Sequence, residues 1–134
     1  MPNKFYLITY FFVLIIGCTT PNNPTGIYTV DNLTNVYDTL ILNKDGTYYR
    51  SLHRRKDNSL IFAHENFWQK DGSRIVLTGY FIDNDNVYNT EIANFDDRVM
   101  KSSLPLKKTN GNYIIFYRKD NLNNFYYKKI KNFD

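Results

Sequence analysis

Tyr37-Asp38-Thr39-Leu40-Ile41-Leu42, then Asn43-Lys44-Asp45-Gly46, then Thr47-Tyr48-Tyr49-Arg50-Ser51-Leu52-His53-Arg54: the reading of this run decides the fold. Both flanks are rich in aromatic, β-branched and aliphatic residues, the types that fit a pleated, half-buried surface. Leu40 and Leu42 fall on one face of an alternating pattern. Between the flanks stand four turn residues, and Gly46 can take a positive φ at little steric cost. The run predicts an antiparallel hairpin, with strands over Tyr37–Leu42 and Thr47–Arg54.

The same grammar extends in both directions. Ile27–Val30 reads as a strand before the hairpin. After it, Lys56-Asp57-Asn58-Ser59 turns into Leu60–Lys70, with a bend expected at Asn66. Asp71-Gly72 leads to Arg74–Phe81, where Ile75 and Leu77 share a face. A Lys-Asp-Gly triplet followed by Thr or Ser stands at 44–47 and again at 70–73, as shared hairpin chemistry and not as an internal repeat. Val99–Lys108 resumes as strand, and Pro105 calls for an edge or a bulge. Asn110-Gly111 signals a tight hairpin, followed by Tyr113–Arg118 and Phe125–Ile130. Asp83–Arg98 is polar and without period. It reads as a long loop, or one holding a short helix near Thr90–Asp96, and such a connection often serves as a lid or binding loop. Nothing past residue 25 has helical amphipathicity.

About eight short strands in sequential order predict an all-β fold, a small antiparallel meander barrel, in which closure removes exposed edges. Leu40-x-Leu42 running into Asp45-Gly46-Thr47-Tyr48, then Trp68, Asp71-Gly72 and Ile75-x-Leu77, resembles the small lipocalin-like domains of bacterial lipoproteins over residues 26–81. That family often has Gly two residues before the Trp, where Asn66 stands here. Its copper-responsive branch carries a Cys-x-x-Cys pair that this chain lacks. The resemblance implies a barrel without a shared activity.

The amino-terminal stretch supports the same family. Lys4 is followed by the apolar run Phe5–Ile16, about 18 Å long as a helix against a hydrocarbon core of about 30 Å. That length suits a signal helix and is short for a membrane span. Ile15-Ile16-Gly17-Cys18, with Leu14 upstream, resembles the lipobox of bacterial lipoproteins. The resemblance implies cleavage between Gly17 and Cys18, a diacylglyceryl thioether on the Cys18 sulfur and acylation of the new amino terminus. Buried methylenes contribute about 0.8 kcal/mol each, so several acyl chains make a lasting anchor. Domain organisation follows: residues 1–17 as signal peptide, 18–25 as lipidated Cys and flexible tether, 26–134 as barrel. Thr19, in place of an acidic residue, implies the outer membrane, with the domain facing the periplasm.

The 134 residues hold one cysteine and a net charge of +4. A lipidated Cys18 leaves no disulfide, so the core alone must hold a domain of this size. Basic clusters stand at Arg54-Arg55-Lys56, Lys107-Lys108 and Lys128-Lys129 with Lys131. The mild charge reads chiefly as solvated strand ends, with attraction to anionic headgroups as the functional reading. Export removes nucleic acid from the partners.

Candidate site residues are few. His53 and His64 face each other if the turn centres on Asn58-Ser59, but a metal wants a third ligand, and Glu65 points to the opposite face. Asp83-Asn84-Asp85-Asn86 fails as an EF-type loop, with Tyr88 where Gly belongs and Asn94 where Glu belongs. No nucleophile elbow, zinc-protease or phosphate-loop motif occurs. We therefore expect no cofactor, no metal and no catalytic set. Tyr48, Trp68, Phe116 and Tyr127 are expected inside the barrel. Tyr49, Tyr117 and Tyr126, with His53 and His64, are the candidate binding residues on its surface. Function reads first as a non-enzymatic envelope lipoprotein that binds a protein or a small apolar ligand. An inhibitor or immunity protein against an envelope hydrolase or toxin is the alternative, and an enzyme on lipid or cell-wall material stands third.

Overall fold

Turn residues set the topology. In a computed structural model, which describes residues 23–80, 100–119 and 124–133, eight strands follow one another. They are β1 (Gly26–Thr29), β2 (Val36–Leu42), β3 (Thr47–Arg54), β4 (Leu60–Asp71), β5 (Arg74–Thr78), β6 (Lys101–Thr109), β7 (Asn112–Lys119) and β8 (Asn124–Asn132). Each pairs antiparallel with the next, and β8 returns to pair antiparallel with β1, so the sheet closes into a meander barrel. Closure leaves no unpaired edge strand to manage.

The two ends of the barrel differ. The near end, where β1 begins, carries the tight turns. At Asn43–Gly46 the Asn43 N–H donates to the Thr47 carbonyl at 2.9 Å, and Gly46 takes φ 85°. Trp68 clamps this turn from the side: its indole N–H donates to the Asn43 carbonyl at 3.0 Å and its backbone N–H to the Gly46 carbonyl at 2.8 Å. Asn110 and Gly111 both have positive φ, 50° and 83°, as a two-residue hairpin of primed type requires. The far end carries the connections over 30–35 and 55–59, and β5 and β7 end there where β6 and β8 begin. The Asp83–Arg98 segment, the short helix expected near Thr90–Asp96, and Gly17 and Cys18 lie outside the described residues.

β4 and β6 each change partner midway. β4 pairs with β3 through Phe67 and with β5 from Trp68. The exchange falls just past Asn66, where a bend is expected, but β4 runs on as one strand and Asn66 does not enter the left-handed region, unlike Asn58 and Asn110. β6 pairs with β5 through Pro105 and with β7 from Leu106. Pro105 therefore lies where no ladder to β7 has yet begun, and its missing N–H removes no bond there.

Alternation fills the interior. Tyr28, Leu40, Leu42, Tyr48, Leu52, Ile75, Leu77, Ile115 and Tyr127 have no exposed surface. Burying a side chain of this kind contributes about 1.5–3 kcal/mol. One strand departs from expectation. In β7, Tyr113, Ile115 and Tyr117 point inward and Phe116 outward, the reverse of the faces expected for Phe116 and Tyr117. The run Tyr113–Tyr117 has no polar residue to mark the solvent face. Phe116 instead lies outside under the Lys107 ammonium, 5.1 Å from its ring centroid.

Candidate functional site

Asp38 sits two residues before Leu40, and Arg50 two residues after Tyr48. Strand alternation therefore turns both toward the core. The Arg50 guanidinium forks onto the Asp38 carboxylate, with Nε to Oδ1 at 3.1 Å and Nη2 to Oδ2 at 2.7 Å. Both residues are 1% exposed. The Tyr127 hydroxyl donates to Asp38 Oδ2 at 2.9 Å, and the Tyr80 and Tyr127 hydroxyls lie 3.0 Å apart. The Arg50 guanidinium carbon lies 4.5 Å from the Tyr80 ring centroid. Tyr80 is held in turn by the Ser102 hydroxyl, which donates to its carbonyl at 2.7 Å.

This cluster joins β2, β3 and β8 to the chain just past β5. Burial works against the Arg50 charge, but the Asp38 carboxylate and the Tyr127 and Tyr80 hydroxyls outweigh it and hold its proton well above the ordinary range. Burial pushes the Tyr80 hydroxyl the same way, against the pull of Arg50, so it stays a neutral phenol. The forked ion pair and the tyrosine hydroxyl satisfy the carboxylate inside a sealed interior. With both partners 1% exposed, no solute reaches the pair. It braces the barrel.

A groove of about 550 Å³ opens at the far end, lined by Thr34, Asn35, Val36, Arg54, Arg55, Lys56 and Ile61. The β3–β4 hairpin builds one wall and the approach to β2 the other. Arg55 is fixed in it: its Nε donates to the Val36 carbonyl at 3.2 Å, its backbone N–H to the Asn35 carbonyl at 2.9 Å, and its guanidinium lies 4.2 Å from the Tyr37 ring centroid. Arg54 reaches the Ser59 hydroxyl at 3.2 Å and Asp57 at 3.8 Å. An Arg with an aromatic face beneath it and a fixed fork suits a carboxylate or another planar anion.

The sequence candidates do not gather at this groove. His53 pairs with Leu60, and His64 pairs with Arg50. The expected facing of His53 and His64 fails because the turn lies nearer the amino terminus. Asn58 takes φ 56° there, and the register shifts between Leu52 and His53. His64 faces inward between the Tyr48 and Phe62 rings, at 5.9 and 6.1 Å. Among the described residues no group of three or more His, Cys, Asp or Glu gathers as a metal site would need. Tyr117 is 5% exposed and packs on Tyr127 at 5.0 Å, so it is a core residue and not a surface binding residue. Tyr49 and Tyr126 do lie on the outer wall, half-buried, with Tyr126 against Phe116 at 5.7 Å.

Sequence reasoning missed Asp38 and Arg50. The parity that put Leu40 inside carried Asp38 with it, and that signal was available. It also missed the groove, which depends on how the 55–59 turn sits against residues 34 and 35. Neither a family model nor a curated protein nor a solved structure matches this chain.

Proposed function

We propose that the chain is a lipid-anchored protein of the bacterial envelope, attached through Cys18 after cleavage behind Gly17. In this reading it stands at the outer membrane facing the periplasm, and its barrel is a non-enzymatic binding module that meets a protein partner at the far end. One observation carries the reading: residues 23–25 pack at one end of a barrel whose interior is filled, and the cation-lined groove opens at the other. Filling by Tyr28, Tyr48, Tyr80, Tyr127 and the Asp38–Arg50 pair favours a protein over a small apolar ligand held inside.

The partner's matching face would present carboxylates beside an apolar side chain that meets Ile61 and Val36. An inhibitor or immunity protein is the more specific version of this role. A groove fixed on a hairpin tip can engage an envelope hydrolase or toxin without rearrangement.

The test has two stages. Mass analysis of the native protein should show Cys18 as the first residue, with thioether and amide acyl chains. The lipidated protein should then retain a stoichiometric partner from detergent-solubilised envelopes and lose it on Arg55→Glu with Lys56→Glu. A partner retained by that variant removes the groove from the reading. A free Cys18 thiol removes the anchor.

A further inference from the structure

Residues 23–25 do not leave the barrel freely. Pro24 and Thr25 are buried at the near end. The Asn23 side-chain carbonyl accepts from the Thr25 N–H at 3.0 Å, and the Asn23 backbone carbonyl accepts from Lys129 Nζ at 3.1 Å. The Tyr28 hydroxyl donates to the Pro24 carbonyl. Lys129 is itself seated between the Tyr113 and Tyr28 rings, at 5.2 and 5.9 Å. The chain is therefore fixed to the barrel from Asn23 onward. Five residues, Cys18 to Asn22, separate that point from the sulfur. At no more than about 3.6 Å per residue they reach roughly 18 Å.

The near-end rim is basic. Lys44 in the β2–β3 turn, Lys70 and Arg74 flanking the β4–β5 turn, Lys107 and Lys108 before the β6–β7 turn, and Lys131 at the close of β8 are all exposed. They follow one another around the rim. Asp45 and Asp71 are the carboxylates on it among the described residues. The tether therefore joins the barrel at an end whose rim carries exposed cations.

We infer that the near-end rim is a membrane-facing surface that takes the anionic headgroups of the bilayer to which the chain is tethered. The inference rests on lipidation at Cys18. Given that anchor, the short pinned tether holds the rim close to the interface. Attraction to anionic lipid acts within about one Debye length, roughly 8 Å at physiological salt, so the rim lysines fall in its range and the far end does not. The barrel then stands upright and presents its groove away from the membrane.

Trp68 reports this without any label on the protein, because it is the single tryptophan and packs on the near-end turn. The lipidated protein is reconstituted into vesicles of phosphatidylcholine alone, or of an equimolar mixture with phosphatidylglycerol, each with a trace of dansyl-headgroup lipid. Energy transfer from Trp68 to dansyl should be higher in the anionic vesicles, and the difference should vanish near 1 M salt, where the Debye length falls to about 3 Å. Lys107→Glu with Lys108→Glu, and separately Lys44→Glu with Lys70→Glu, should reduce transfer to the zwitterionic level. Lys101→Glu at the far end should leave it unchanged. Equal transfer in both vesicles from a chain that floats with each overturns the surface and leaves the anchor standing. A chain that floats with neither in high salt overturns the anchor.

Discussion

The two ends of this barrel are closed by different means. At the near end the closing bonds are local: the Asn43–Gly46 turn, the Asn110-Gly111 pair, and residues 23–25 bound to their strand neighbours. Each depends on residues close in sequence or on an adjoining strand, as Trp68 and Lys129 are. At the far end closure comes from side chains far apart in sequence. Asp38, Arg50, Tyr80 and Tyr127 meet inside the wall and tie the chain beyond β5 across to β2, β3 and β8. Local closure tolerates single changes, because neighbouring ladder bonds survive. A buried network with one member removed leaves a charge without its partner.

The largest effect should therefore come from the far-end network. Asp38→Ala strands the Arg50 guanidinium in the core and should cost about 3–5 kcal/mol. Urea unfolding, read as a shift in midpoint at constant slope, measures it. Asp38→Leu combined with Arg50→Met removes both charges and should recover most of that loss. A single substitution that costs no more than the double would mean that the pair does not brace the far end.

The near end has one position where a local change should be nearly as severe. Gly26 takes φ 148°, and a Cβ there would overlap the Lys131 carbonyl oxygen across the β1–β8 ladder. Gly26→Ala should cost roughly 3 kcal/mol, from left-handed strain plus displaced backbone. Gly111→Ala meets nothing within 4 Å at φ 83°. It should cost about 1–2 kcal/mol from strain alone. Thermal unfolding of both variants sharpens the comparison. Equal losses would show that crowding against Lys131 is relieved by a small shift and that the tether junction is no tighter than an open turn.

The contrast between the ends also sets what could be read in advance. Strand number, order and closure were legible because each near-end turn announces itself in Gly, Asn and Asp, and because Leu40, Leu42, Ile75 and Leu77 alternate cleanly. The far-end network was not assembled. Asp38 and Arg50 each had the parity of the core, but nothing in the sequence says that two charges share one interior. Faces were lost where polarity does not alternate: in Tyr113–Tyr117 every residue is apolar or aromatic, and the outward place of Phe116 is set by neighbours such as Lys107 on another strand. The His53–His64 pairing was lost because the β3–β4 turn sits nearer the amino terminus than Asn58-Ser59, which sets Leu52 opposite Phe62; the shift after Leu52 moves His53 only one residue further, to Leu60. The groove lies where the β2–β3 ladder ends, with the Arg55 N–H on the Asn35 carbonyl just past the Val36–Arg54 pair.

The smallest expected effect compares one device built at both ends. In the near-end turn Asp45 Oδ1 accepts from the Thr47 N–H at 2.9 Å and from its hydroxyl at 2.7 Å. In the far-end turn Asp57 Oδ1 accepts from the Ser59 N–H at 3.0 Å and from its hydroxyl at 2.7 Å. The Thr47 hydroxyl and then its N–H lower the Asp45 pKa; Ser59 does the same for Asp57, where Arg54 adds a smaller pull. A carboxyl with a depressed folded pKa contributes its stability above the unfolded value, about 3.9, and loses it as pH falls through the folded one. Carboxyl chemical shifts followed by NMR should give midpoints below the ordinary Asp value for both residues. Thr47→Val should raise the Asp45 midpoint and leave Asp57 in place. Since Asp57 alone has a cation at 3.8 Å, salt near 1 M should raise its midpoint and barely move that of Asp45. Equal responses to salt would mean that Arg54 contributes nothing to its turn, and that the two ends use the same local chemistry after all.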